Sequence, residues 1–331
     1  MAQQLTSVSV AARLTLDMHS LNNEGGEGNQ IATRMVDIVG DDGRLHNVNA
    51  ISGDMLKHIL AEHLFHLARE TGVPLCAGCA RFDANRANAD AEFTEMIKAL
   101  TDGDVVSRLI ERCVQDDALG ILITVGGRSV PRKAIVEFGW VIGIPEITRT
   151  DSYFHVKYAT ERGQAEREAA RAAQEATGSN LGQAIFHRPA SSGVYALVAH
   201  LELSRIGYND ITQSYVIDED QRRQRGRLVL TSLLHTFVEL NGAMRSSQLP
   251  HLVAVEGIVT TSEAAIPAPL ISPLAGSSNE DHDYRQQTQQ IVSKLDTGGH
   301  LQAHIFDSLA QFSAVMRALI DEGVPANVLA H

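Results

Sequence analysis

The stretch from Ala50 to Glu70, AISGDMLKHILAEHLFHLARE, constrains the chain most. Met55, Leu56, Ile59, Leu60, Leu64, Phe65 and Leu67 recur at helical spacing and paint one apolar stripe. Ser52 or Asp54 can cap the start of this helix, and Gly53 allows a tight turn before it. Lys57 and His58 fall in the first turns on the polar side. A helix N-terminus presents unbonded N–H groups and partial positive charge, which suits a phosphate. An empty capped helix and an anion-holding one both fit these residues, so the rest of the chain has to decide.

The stripe needs a surface to cover, and the chain offers strands. Over residues 5–18, Thr6, Val8, Val10, Ala12, Leu14, Leu16 and Met18 make one almost wholly apolar side. The other side, from Leu5 and Ser7 to Arg13 and Asp17, carries mostly small and polar groups and offers a binding surface. Residues 20–30, SLNNEGGEGNQ, read as a flexible loop. Residues 31–40 and 44–50 form a hairpin around Asp41-Asp42-Gly43. Residues 118–124 and 134–144 read as two apolar strands joined through the basic turn 125–133. Residues 181–188 and 191–205 are extended, the second with Tyr195, Leu197, Ala199, Leu201 and Leu203 on its apolar side. A second strong helix spans 219–240 and ends at Asn241-Gly242, and 251–261 is a closing strand. Helical runs are expected near 92–100, 104–115, 161–176, 281–295 and 300–321. The order strand, helix, insertion, hairpin, insertion, strand, helix, strand predicts an α+β fold with an RRM-like (ferredoxin-like) core.

At 331 residues and 44% hydrophobic content, the chain can build one large domain or two ordinary ones. Its net charge of −12 counts against an isolated basic nucleic-acid-binding domain. Its cations are nevertheless clustered, at Arg128, Arg132 and Lys133 and again at Arg222, Arg223, Arg225 and Arg227. Local potential steers a polyanion more than net charge does, although each cluster also fits a plain solvated face. There is no apolar run of about 18 residues and no basic start followed by an apolar block. No membrane association is expected, and a cytoplasmic setting is.

Motifs for catalysis or metal binding are incomplete. The Gly25-Gly26-x-Gly28 run matches neither the dinucleotide fingerprint nor the nucleotide P-loop. No GxSxG elbow is present. Cys76-Ala-Gly-Cys79 would need two further zinc ligands, and Cys113 supplies only one more thiolate. His58, Glu62, His63 and His66 miss both zincin spacings, though a metal-dependent hydrolase using them stands as an alternative. No catalytic residue, cofactor or metal is expected.

Several stretches together resemble the DevR-type CRISPR-associated proteins of the RAMP superfamily, backbone subunits of type I Cascade complexes. They are the first alternating strand, the loop with Ser20, Leu21, Asn22, Gly28 and Asn29, and the helix opening AISGDMLKHIL at 50–60. GRSVPRKAIVEFG at 127–139, FHVKYA at 154–159, IFHRPASSGVYALVAHLELSRIG at 185–207 and NGAMRSSQLP at 241–250 complete them. The resemblance covers about residues 5–265.

The resemblance implies an RRM-like palm, a helical finger insertion and a thumb hairpin. Palm segments would be 1–70, 118–145 and 193–265, the finger 71–117, and the thumb 146–192, followed by a loop and C-terminal helices at 266–331. It implies an antiviral defence protein whose copies stack side by side along a crRNA guide. Such a filament supports pairing with target DNA and joins other Cascade subunits. Related type III subunits cut RNA with an Asp in the loop after the first strand. Here that loop has Glu24 and Glu27 but no Asp, so no nuclease activity is expected, and a type III-like ribonuclease stands as an alternative. Guide contacts of this kind use helix N-termini, cations and small polar groups. The expected RNA-binding residues are Asn22, Asn29, Gln30, Arg34, Ser52, Gly53, Lys57, His58, Arg128, Ser129, Arg132, Lys133, His187, Arg188, Arg245 and Ser246. His63 and His66 then become ordinary helix surface.

Overall fold

The computed structural model describes residues 3–27, 30–158, 183–276 and 283–327. Its first half contains β1 (Ser7–His19), β2 (Asn23–Glu27), β3 (Gln30–Thr33), β4 (Met35–Val39), β5 (Leu45–Ile51) and α1 (Gly53–Thr71). There follow α2 (Ala91–Met96), α3 (Asp102–Arg112), α4 (Val114–Leu119), β6 (Ile121–Ile123), β7 (Val130–Arg132), β8 (Val136–Phe138) and β9 (Val141–Tyr158). The rest holds β10 (Gln183–Leu201), α5 (Glu219–Val238), β11 (His251–Ser262), α6 (Tyr284–Leu295), β12 (Leu301–Phe306) and α7 (Leu309–Glu322).

The alternation in β1 and β10 builds the sheet. Its order is β12-β11-β1-β10-β9-β5-β4, and every neighbouring pair is antiparallel. Val8, Val10, Ala12, Leu14 and Leu16 of β1 pack with Tyr195, Leu197, Ala199 and Leu201 of β10 under one face. Leu56, Ile59, Leu60 and Leu64 of α1 and Leu230, Leu233 and Phe237 of α5 cover that face. Burying each such side chain stabilises the fold by roughly 1.5–3 kcal/mol. The α1 stripe is therefore core. Beyond a register shift between Gly143 and Thr148, β9 and β10 continue as an arm pairing 148–158 with 183–193, which β1 flanks at 191–193 and β3 joins at His187.

The helical segment after α1 has its own core. Phe93, Ile97, Val105, Val106, Leu109 and Ile110 pack with Cys76, Cys79 and Cys113. Among the described residues, no helix is long and apolar enough to cross a membrane.

Several expectations are corrected. The polar side of β1 is covered: Ser9 donates to the Ala268 carbonyl (2.9 Å), Arg13 to that of Pro273 (3.0 Å), and Ala11 packs with Ile258 and Tyr284. The 20–30 stretch is not all loop. Despite its glycines, β2 ladders onto β3, and Thr33 Oγ1 donates to the Asn22 carbonyl (3.0 Å). Residues 118–119 end α4, so the first strand of the expected hairpin shrinks to β6. It pairs inside the supposed turn with β7, while 136–138 and 141–142 join β10 and β5. Residues 301–306, expected as helix, form strand β12, because the edge of β11 supplies ladder partners that local periodicity cannot reveal. α5 stops at Glu239 rather than Asn241-Gly242. Gly242 instead lets the chain pass Leu21, where a Cβ would collide with the leucine side chain. The helix expected at 161–176 lies outside the described residues.

Candidate nucleic-acid interface

The start of α1 is built by contacts distant in sequence. Ser52 is the N-cap, and its Oγ accepts from the Met55 N–H at 3.2 Å. Its own N–H donates to Asn22 Oδ1 at 3.0 Å, which ties the helix to the end of β1. A Cβ on Gly53 would lie 2.5 Å from the Phe138 carbonyl oxygen, so only glycine lets α1 begin this close to β8. Gly53→Ala is expected to cost about 1–3 kcal/mol through overpacking. An unchanged urea midpoint would show that the helix start can simply shift.

Lys57 sits between two cavities. One, of about 550 Å³, is lined by Asp54, Lys57, His58, Phe82, Arg86 and Gln115 among others. The other, of about 350 Å³, includes Ser52, Gly53, Lys57, Glu137, Phe138 and Trp140. Burial lowers the Lys57 ammonium's pKa, and Arg86 adds to the shift, while Asp54 and Glu137 oppose it. An anion placed between the cavities would relieve that cation. His58 is exposed with its ring 5.4 Å from Phe82. The carboxylates Asp54, Asp83 and Glu137 also line these cavities, so discrete donors rather than a broad positive field would hold a ligand here.

Sequence reasoning missed Trp140. It is the chain's one tryptophan, it is exposed, and the Arg34 guanidinium lies 5.3 Å from its ring centroid. An exposed indole beside a helix N-terminus is a stacking platform for a base. Its being a lone tryptophan in a chain with 5% aromatic residues was the available signal.

The strip continues from Asn22 toward the arm. Leu21 accepts from the Ala243 N–H (3.2 Å), Gln248 donates to the Pro189 carbonyl (3.1 Å), and Arg188 donates to Ser247 Oγ (3.2 Å). His187 stacks edge-on against Phe154 at 5.5 Å. Arg245 and Ser246 are exposed on the same segment, with Arg245 paired to Glu239 at 2.6 Å. The fold thus links Asn22, Ser52, Gly53, Lys57 and His58 through the 21–22 turn to Arg188, Arg245 and Ser246. Asn22 itself is buried and committed to the Ser52 N–H. Gln30 is placed in β3 by its backbone alone. Asn29 lies outside the described residues.

The basic turn does not join this strip. Arg128 folds onto the helical segment, donating to the carbonyls of Leu100 (2.5 Å) and Lys98 (3.4 Å), and Ser129 beside it is exposed. Lys133 is exposed, but it lines a different cavity with Arg205 and Asp210. Arg132, expected to reach RNA, is a buried structural cation with a fully inaccessible side chain. It pairs with Asp117 at 2.7 Å and donates to the Tyr208 and Arg205 carbonyls. The sequence shows three cations on one turn, but it does not show that Asp117 and Arg225 wait beneath it.

The histidines of α1 do not converge. His63, expected at the surface, is buried, and its Nε2–H donates to the Glu239 carbonyl at 3.0 Å. His66 is exposed. Among the described residues, the one grouping of three or more potential metal ligands lies elsewhere, at Cys76, Cys79, Cys113 and Asp116.

Residues 10–289 match the family model described as "CRISPR-associated negative auto-regulator DevR/Csa2". No curated protein matches the sequence. The fold is similar to a chain solved as "CRISPR RNA-guided surveillance complex, pre-nicking", with a TM-score of 0.52 and 11% identity over 96% of this chain and 99% of that one. A chain of another "CRISPR RNA-guided surveillance complex" gives 0.49, also at 11% identity over 96% and 99%. Csc2 of Thermofilum pendens gives 0.38 at 14% identity over 95% and 86%. At these identities the first likeness is one of fold.

Proposed function

The chain belongs to the CRISPR-associated DevR/Csa2 family, and from that membership we propose that it is a non-catalytic backbone subunit of a type I interference complex. In this reading, copies stack side by side along the crRNA in the cytoplasm, hold its sugar–phosphate backbone and support pairing with target DNA. β11-β1-β10-β9, with α1 and α5 on one face, serves as the RRM-like palm. The helical segment serves as the finger and the β9–β10 arm as the thumb.

One observation carries the reading. The capped start of α1, with Lys57 and exposed Trp140, is tied through hydrogen bonds at buried Asn22 and Leu21 to the segment that carries Arg245 and bonds Arg188. Backbone amides and cations suit phosphates, and the indole suits an unstacked base.

The test is co-expression with the partner subunits and a CRISPR array. RNA of defined length should co-purify, and its binding should weaken steeply with salt. Lys57→Ala combined with Trp140→Ala should lower RNA affinity roughly ten-fold or more while the chain stays folded. Absence of co-purifying nucleic acid sinks the reading, and unchanged affinity in the double variant sinks the assigned strip.

A further inference from the structure

We propose that Cys76, Cys79, Cys113 and Asp116 form a structural zinc site that fastens the helical segment to the cavity beside α1. The proposal is independent of RNA binding.

The four side chains offer one ligand atom each, and these atoms all lie within 4.8 Å of one another. A tetrahedral zinc has bonds of about 2.3 Å to sulfur and about 2.0 Å to oxygen, which puts its ligand atoms roughly 3.5–3.8 Å apart. Contacts in the cluster already approach this: Cys76 Sγ lies 3.3 Å from Asp116 Oδ2, and Cys79 Sγ lies 3.7 Å from it. The spacing is that of two knuckles, Cys76-x-x-Cys79 and Cys113-x-x-Asp116. In the sequence Cys113 supplies only a third thiolate, and the fourth ligand, Asp116, is identified by the fold.

The surroundings are shaped for a metal. The Cys79 N–H points at Cys76 Sγ from 3.4 Å, a donor that stabilises thiolate charge. At Gly78 a Cβ would collide with the Arg86 carbonyl, so glycine is required for the loop to close over the cluster. Asp116 is fully buried, and its second oxygen, Oδ1, has no hydrogen-bond partner. The nearest cation to that oxygen is Arg86 Nη1 at 3.7 Å, placed to orient the carboxylate and offset its charge.

Four acidic groups packed into an apolar core repel one another unless protons or a cation neutralise them. A dication removes that conflict. Three thiolates select a soft or borderline metal, and four closed, buried ligands mark a structural rather than a catalytic site. Its effect reaches the candidate interface. The loop after Cys79 supplies Phe82, Asp83 and Arg86 to the cavity wall facing Lys57 and His58.

The full chain, purified under reducing conditions with its partners if it needs them, tests the proposal. One zinc per chain should survive dialysis. Exchange into cobalt(II) should give the intense thiolate-to-metal absorption and visible bands of a tetrahedral site. Cys79→Ser and Asp116→Ala should each lower bound zinc severalfold, and stripping the metal from the wild type should lower Tm by roughly 10 °C or more. Should those variants fail to fold, the zinc content and cobalt spectrum of the wild type still decide. Well under one equivalent of metal, three titratable thiols in the folded chain, or a Cys76–Cys79 disulfide in freshly purified protein would each overturn the assignment.

Discussion

Asp117→Ala is expected to destabilise the chain by about 3–5 kcal/mol, because it strips buried Arg225 of its counter-charge and leaves buried Arg132 only the half-exposed Asp210 at 3.1 Å. Asp117 is almost fully buried and accepts from Arg132 at 2.7 Å and Arg225 at 2.8 Å. It also accepts from the Gly207 N–H at 3.1 Å. Arg132 reaches it from β7 and Arg225 from α5, so one carboxylate joins helical segment and sheet domain. The desolvation cost of all three ions is already met in the folded state. Removing the anion leaves that cost and deletes the attraction. Arg132→Ala should also destabilise the chain, since it removes one of the two cations on Asp117 and the donor to the Tyr208 and Arg205 carbonyls. A chain of 331 residues should then lose roughly 4–7 °C in Tm. A loss under about 1 kcal/mol by urea denaturation would show that water or rearrangement rescues the site. The same result bears on RNA-binding assays: lost RNA retention in an Arg132 variant would report unfolding rather than a missing contact.

Acid should destabilise the chain through His19. This side chain is buried at the end of β1, 4.9 Å from the Tyr195 ring, and Leu21 N–H approaches its Nδ1 at 3.5 Å. Burial lowers its pKa from 6.5 to about 4. The unfolded chain therefore takes a proton at a pH where the folded chain refuses one. The neutral ring's advantage is fully present above the unfolded value of 6.5 and is lost progressively as pH falls toward 4. With the pKa falling from 6.5 to about 4, the largest effect is about 3 kcal/mol. Urea titrations between pH 4 and 7 measure it, and His19→Gln should flatten the slope in that window. An equal slope in His19→Gln would assign the acid sensitivity to other groups. His19 lies beneath the Leu21–Asn22 turn, so its protonation should also loosen the link between the start of α1 and the arm.

Much of the fold was legible because it is written in local periodicity. Leu56, Ile59, Leu60 and Leu64 repeat at helical spacing, and Val8 to Leu16 and Tyr195 to Leu201 alternate at strand spacing. Ser52 carries its capping role in its own side chain, and Gly53 marks a close approach. The errors share one cause. β12 needs the edge of β11, the β2–β3 ladder overrides a glycine-rich composition, and the polar face of β1 is covered by a segment some 260 residues later. Each depends on a partner that no short window contains.

The candidate site divides the same way. The sequence alone determined that a capped amphipathic helix would lay its stripe on a sheet and turn Lys57 and His58 toward its open end. It also determined which residues were charged or carried thiols. Only the tertiary structure decided what those groups do. It buried Arg132 against Asp117 and set Trp140 beside Gly53. It joined Asn22 to Ser52 and brought Cys113 and Asp116 to Cys76 and Cys79. The physical reason is that a charge or a thiolate takes its role from the dielectric and the partners around it, and here those arrive from distant parts of the chain.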